Sequence, residues 1–155
     1  GGAKRVVSVD ISEEAVRLAR ENAELNGLSD RVEYLCADVF ELLPRLLEER
    51  AFFDFVILDP PAFTRSRRTA RDAARGYKEI NYRAMRLLPR GGLLATCSCS
   101  HFMPAPLFEE VLKSAADDAG VSLKLIEARR QSPDHPVILG MPESDYLKFY
   151  LFQIV

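Results

Sequence analysis

The 155 residues suit one domain, and at 48% hydrophobic they can bury a core. No run is long and apolar enough to span a bilayer, the start "GGAKRVVSVD" lacks a secretory signal, and three cysteines are too few and too odd in number for a disulfide framework, so a reducing cytoplasm is expected. A net charge of −2 argues against general nucleic-acid affinity, yet residues 64–78 carry +5 and leave −7 on the remainder, which makes that segment either a phosphate-contacting surface or an ordinary solvated helix start.

"RVVSVD" (5–10) is a β-branched run ending in an acid and reads as a buried strand. Residues 12–27 read as a helix: apolar side chains recur at Ala15, Val16, Leu18, Ala19, Ala23 and Leu25, with Ser12 as N-cap, Glu13 and Glu14 in the first turn, and Gly27 as the stop. "VEYLCAD" (32–38) is a second strand ending in an acid. An amphipathic helix covers 39–50, where Pro44 must stand near the start or break it. "FFDFVILDPP" (52–61) is a third strand, closed by two prolines. Residues 69–88 form a helix with Tyr77, Ile80, Ala84 and Leu87–Leu88 toward one side, ended by Pro89 and Gly91–Gly92. "LLATCSCS" (93–100) is the fourth strand, 105–120 a helix stopped by Gly120, and 122–130 and 145–155 the last two strands, separated by a loop rich in Pro and Gly. This alternation predicts a doubly wound α/β domain with a mostly parallel sheet, helices on both faces and an antiparallel last strand.

In such sheets ligands bind outside the carboxyl ends of the strands. Asp10–Ile11, Asp38–Val39, Asp59–Pro60–Pro61 and Cys97 to Ser100 stand there. Repeated acids at one rim need donors, and ribose hydroxyls or an adenine amino group supply them. Asp10 is expected on a ribose with Ile11 against the adenine, and Asp38 on the adenine amine with Val39 or Phe40 beside it. The alternative is that these aspartates cap the helices that follow. No GxGxxG or GxxxxGK[ST] cradle is present, so NAD and P-loop chemistry have no motif. S-adenosylmethionine carries no phosphate and needs no cradle. Cys97 and Cys99 at i, i+2 share a strand face, but with only His101 and His135 as histidines no metal site is expected.

The pieces "GGAKRVVSVDIS", "ENAELNG", "ADVFELL", "DPPAFTRS", "GYKEINYRAMRLLPRGGLLATCSCS" and "DHPVILGMPESDYLKFYLF" cover nearly the whole chain. Together they resemble the catalytic domain of class I (Rossmann-like) S-adenosylmethionine-dependent methyltransferases. More narrowly, they resemble the bacterial 23S ribosomal RNA cytosine-5 methyltransferases that carry a PUA domain. The resemblance implies S-adenosylmethionine as cofactor and large-subunit ribosomal RNA as partner; a homodimer is compatible with it. It implies Cys99 as the nucleophile that adds to cytosine C6, with Cys97 as packing, and Asp59 at the N3/N4 edge of the base. Asp59 and Pro60 would also border the cofactor, Pro60 and Pro61 shape the base slot, Phe63 either stack on the base or join the core, and Arg65, Arg67 and Arg68 meet RNA phosphates. Many relatives place a second cysteine where this chain has Ala62. His135 lies in a loop that the family shares, where it faces the site or serves the loop itself.

These enzymes also have a first strand, a glycine-rich loop and a helix ahead of "GGAKRVVSVD". That implies an N-terminally truncated domain in which the strands ending at Asp10 and Asp59 lack a common neighbour, and impaired folding and cofactor binding for residues 1–155 alone. Two other readings stay open. One is guanine methylation in the same RNA, which needs no thiol; the other is a non-catalytic RNA-binding or assembly domain.

Overall fold

The computed structural model describes residues 2–63 and 70–155. The elements follow the expected order: β1 (Val6–Asp10), α1 (Glu13–Leu25), β2 (Val32–Cys36), α2 (Val39–Glu48), β3 (Phe55–Leu58), α3 (Ala70–Arg86), β4 (Leu93–Ser98), α4 (Ala105–Ala119), β5 (Leu123–Arg129) and β6 (Lys148–Ile154). A 3-10 turn at Pro142–Ser144 lies in the loop before β6. The chain divides into two compact units, Gly1–Arg45 and Leu46–Val155, and the division falls inside α2.

In the first unit β1 and β2 pair in parallel, from Val6 opposite Val32 to Asp10 opposite Cys36, and α1 packs on both. Ser12 caps α1 as expected: its hydroxyl accepts from the Ala15 N–H at 3.3 Å. Asn26 forms the C-cap, and Gly27 then takes the left-handed φ of 66° that lets the chain leave the helix. The apolar stripe of α1 is only partly covered. Ala23 is buried, whereas Leu18 and Leu25 are exposed, because two strands offer a narrow face for a helix to cover.

Pro44 corrects the expectation set by the sequence. It stands inside α2, which continues without a break to Glu48. A proline there removes one hydrogen bond and costs about 3 kcal/mol. Burial of the adjacent Leu42 and Leu43, at about 1.5–3 kcal/mol each, offsets that loss.

The second unit holds a four-stranded sheet of order β3-β4-β6-β5. β3 and β4 are parallel, and β6 runs antiparallel to both β4 and β5, as the last strand should. The expected dominance of parallel pairing is not met. Among the described residues two pairings are parallel and two antiparallel, in two separate sheets. The reason is topological: β6 inserts between β4 and β5, so each meets an antiparallel neighbour. β1 and β3 each keep one edge without a strand partner among the described residues.

Four strands are shorter than the sequence suggests: β2 ends at Cys36 and β6 starts only at Lys148. β3 starts only at Phe55, the Phe53 N–H going to the Leu87 carbonyl at 3.0 Å instead of to a ladder. β4 ends at Ser98, two residues early.

α3 and α4 pack against each other, and the predicted face of α3 (Tyr77, Ile80, Ala84, Leu87, Leu88) is buried throughout. The Tyr77 ring meets Phe108 edge-on at 5.4 Å, within a cluster that includes Met103, Leu112 and Tyr150. Tyr77 ties this core to the carboxyl end of β4 through Ser98. No helix among the described residues is long and apolar enough to cross a membrane.

Candidate active site

In the first unit the site residues gather where β1 and β2 end. Asp10 closes β1, and its Oδ1 accepts from the Ser12 N–H at 2.8 Å. Asp38 precedes α2. Its Oδ1 accepts from the Phe40 N–H at 2.8 Å, and its carbonyl accepts from Glu41 and Leu42. Both aspartates therefore do local helix-start work with one oxygen, and the other oxygen has no partner among the described residues. Ile11 is 70% exposed although apolar, and Val39 is half-buried at the head of α2. Beside them lies an open concavity of about 350 Å³, lined by Ile11, Cys36, Ala37, Asp38, Glu41, Leu42 and Arg45. Asp10 does not line it; its register partner Cys36 does. The carboxylates of Asp38 and Glu41 suit hydroxyl and amine donors, Ile11 and Leu42 offer apolar surface to a flat ring, and Arg45 adds one cation to the rim.

In the second unit β3 and β4 end side by side, with Leu58 opposite Thr96, so Asp59 follows next to Cys97. Asp59 and Pro61 are exposed and Pro60 is half-buried. Cys97 is 9% exposed, and burial, then Asp59 and Cys99, push its thiol up to about 11. Cys99, one residue past the end of β4, is only half-buried. Tyr77 reaches this strand end from α3, where its hydroxyl oxygen accepts from the Ser98 hydroxyl at 3.1 Å. Burial raises the Tyr77 phenol, the Ser98 bond partly opposes that, and Cys99 and Asp59 add to it. The Phe63 ring sits 4.7 Å from the Tyr77 ring and packs against the core cluster.

Arg65, Arg67 and Arg68 lie outside the described residues. Two other cations of the basic segment are paired within the fold: Lys78 with Asp118 at 2.7 Å and Arg75 with Asp72 at 3.7 Å. His135 is exposed, 3.7 Å from Asp134, with its ring edge toward Tyr146. Among the described residues no group of three or more His, Cys, Asp or Glu is arranged to hold a metal ion.

Sequence reasoning missed Lys148, which is buried on β6 beside this strand end. The signal was available: a lysine interrupts the apolar run "DYLKFYLF".

A family model described as a methyltransferase domain matches residues 1–134. Ribosomal RNA large subunit methyltransferase I of Klebsiella pneumoniae (strain 342) is 44% identical over 156 residues, covering 100% of this chain and 39% of that protein. The protein of the same name from Alteromonas mediterranea is 47% identical over 149 residues, covering 96% of this chain and 38% of its own length. The chain thus spans about two fifths of these relatives. Among solved structures, a proposed SAM-dependent methyltransferase from Streptococcus mutans superposes with a TM-score of 0.85 at 21% identity, covering 99% of this chain and 39% of that one. At that identity the likeness speaks for the fold alone.

Proposed function

The chain belongs to the methyltransferase domain family, and we propose that it serves an S-adenosylmethionine-dependent enzyme that methylates C5 of a cytosine in large-subunit ribosomal RNA. The names of its relatives support the RNA class. The observation that carries the chemistry is the contrast between two neighbouring thiols. Cys97 is buried and held protonated well above neutrality, while Cys99 is reachable at the strand end that Asp59 borders.

The residues of the first unit fit the nucleoside part of the cofactor. Asp10 would take the ribose hydroxyls, Ile11 and Val39 would flank the adenine, and Asp38 would accept from its amine. When bound, the cofactor supplies an electrophilic methyl group on a sulfonium. By the family resemblance alone, Asp59 and Pro60 of the second unit are assigned to the border of the cofactor and Pro60 and Pro61 to the base slot. Asp59 meets the N3/N4 edge of the cytosine. The Cys99 thiolate adds to C6, forming an S–C6 bond and moving the C5–C6 π electrons to C5, the atom that would receive the methyl, the sulfonium sulfur keeping the electron pair of the bond that breaks. Loss of the C5 proton restores the double bond, and the sulfur leaves with its electron pair. Arg65, Arg67 and Arg68 are assigned to RNA phosphates from their sequence alone.

The test uses the natural full-length protein. Cys99→Ser should abolish methyl transfer, and Cys99→Ala should lose the covalent complex that the unaltered protein forms with RNA containing 5-fluorocytosine. Cys97→Ala should keep both. The reverse pattern, or methyl recovered on guanine, overturns the assignment.

A further inference from the structure

The β3–β4 ladder stops at Leu58 opposite Thr96, and the β4–β6 ladder stops at Ser98 opposite Lys148. Beyond those points strand pairing among the described residues fixes neither segment 59–63 nor Cys99, so side chains have to set their spacing. Tyr77 of α3 stands where the two segments meet. Its hydroxyl oxygen accepts from the Ser98 hydroxyl at 3.1 Å, and the Phe63 backbone hydrogen-bonds the same hydroxyl. Its ring lies 4.7 Å from the Phe63 ring, which seats the far end of segment 59–63 on the same side chain. Tyr77 and Ser98 are both fully buried.

The backbone on either side of Cys99 is held as well. Ser98 Oγ accepts from the Ser100 N–H at 3.4 Å. The Ser100 carbonyl accepts from the Met103 N–H at 3.1 Å and from Lys148 Nζ at 2.6 Å. Ser98 and Ser100 are buried, and Cys99 between them is only half-buried. A buried pair of hydroxyls adds little net stability, since replacing both partners by apolar groups of the same shape is nearly neutral. Phenylalanine and alanine would fill this space equally well, so stability alone gives no reason for the pair. What the pair adds is a directional bond that fixes one separation.

Resting on the reading of Cys99 as the attacking sulfur and Asp59 as the holder of the base, we propose that Tyr77 is a positioning residue whose hydroxyl sets the spacing between segment 59–63 and the strand end that carries Cys99. Being fully buried, Tyr77 touches neither RNA nor cofactor and acts through Ser98 and Phe63. Attack geometry tolerates little error, for a displacement of about 1 Å can cost about a hundredfold in rate.

The experiment compares Tyr77→Phe, Ser98→Ala and the double variant of the natural full-length protein on large-subunit ribosomal RNA. Tyr77→Phe removes the hydroxyl and keeps the ring on Phe63 and Phe108. It should lower kcat by about tenfold to a hundredfold, with KM for the RNA unchanged. The double variant should lose no more than the slower single one, because both substitutions remove the same bond, and its Tm should stay near that of the unaltered protein. An unchanged kcat in Tyr77→Phe overturns the proposal, as do losses that multiply in the double variant. If Tyr77→Phe does not fold, Ser98→Ala decides: a lowered kcat at unchanged KM supports the proposal and an unchanged kcat overturns it. The covalent complex with 5-fluorocytosine RNA separates this inference from the reading beneath it. No complex in the unaltered protein, with kcat still lowered in Tyr77→Phe, upholds the role of Tyr77 and rejects cytosine. A complex that Tyr77→Phe forms as fast as the unaltered protein does the opposite.

Discussion

Cys97 and Cys99 stand two positions apart, yet burial separates them chemically. The ladder of β4 stops at Ser98, so Cys97 stays in the sheet beneath Asp59 while Cys99 leaves it. The raised Cys97 thiol has a consequence for stability. Below its ordinary value of 9.0 the thiol is neutral in both folded and unfolded chains; above it the unfolded chain ionises while the folded one resists up to about 11. The folded state then binds more protons, so stability falls as pH rises from 9.0 to about 11. Cys97→Ala should remove that part of the alkaline loss, read as the slope of Tm against pH. Parallel slopes in the two proteins would assign the titration to another group. Asp10 offers a second test. Asp10→Ala should weaken S-adenosylmethionine binding by about tenfold to a hundredfold, the range for a charge-assisted hydrogen bond. Asp10→Asn keeps the acceptor for the Ser12 N–H and so separates charge from local structure. Unchanged calorimetric affinity in both would remove Asp10 from the cofactor site.

At the level of elements, the strand-to-strand geometry depends on how the chain turns into β4. Gly91 has a φ of 90°, its N–H donates to the Ile154 carbonyl at 2.8 Å, and Ile154 returns a bond to the Gly92 carbonyl at 2.9 Å. A Cβ on Gly92 would meet the Pro89 carbonyl oxygen at 2.9 Å and the Leu88 side chain at 3.2 Å. The turn is backbone on one side and buried core on the other, so neither neighbour gives way cheaply. Gly92→Ala should therefore destabilise the chain by about 1–3 kcal/mol, seen as a Tm lowered by several degrees; an unchanged Tm would mean that the turn relaxes freely. The pair Gly91–Gly92 was legible as a helix stop, and Ser12 as a cap, because both signals lie within a few residues of the structure they shape. Pro44 was misjudged because its cost is local, whereas the compensating burial of Leu42 and Leu43 exists only in the folded chain.

Across the whole molecule, ten elements were readable in order because periodicity and punctuation repeat within a dozen residues. The antiparallel direction of β6 was readable too, since no helix separates it from β5. The break between β1 and β3 was expected from the resemblance, but the place of β6 between β4 and β5 was not readable, because strand pairing joins segments far apart in sequence. The doubly wound fold class was thus determined by residue order alone, through spacing that any local segment carries with it, and the methyltransferase family was legible through the resemblance of its motifs to a known family. Only the tertiary structure decided that Phe63 packs against Tyr77 and that a lysine 48 residues from Ser100 closes on that strand end. Burial and charge pairing are properties of neighbours in space, and chain spacing does not encode which distant side chains those neighbours will be.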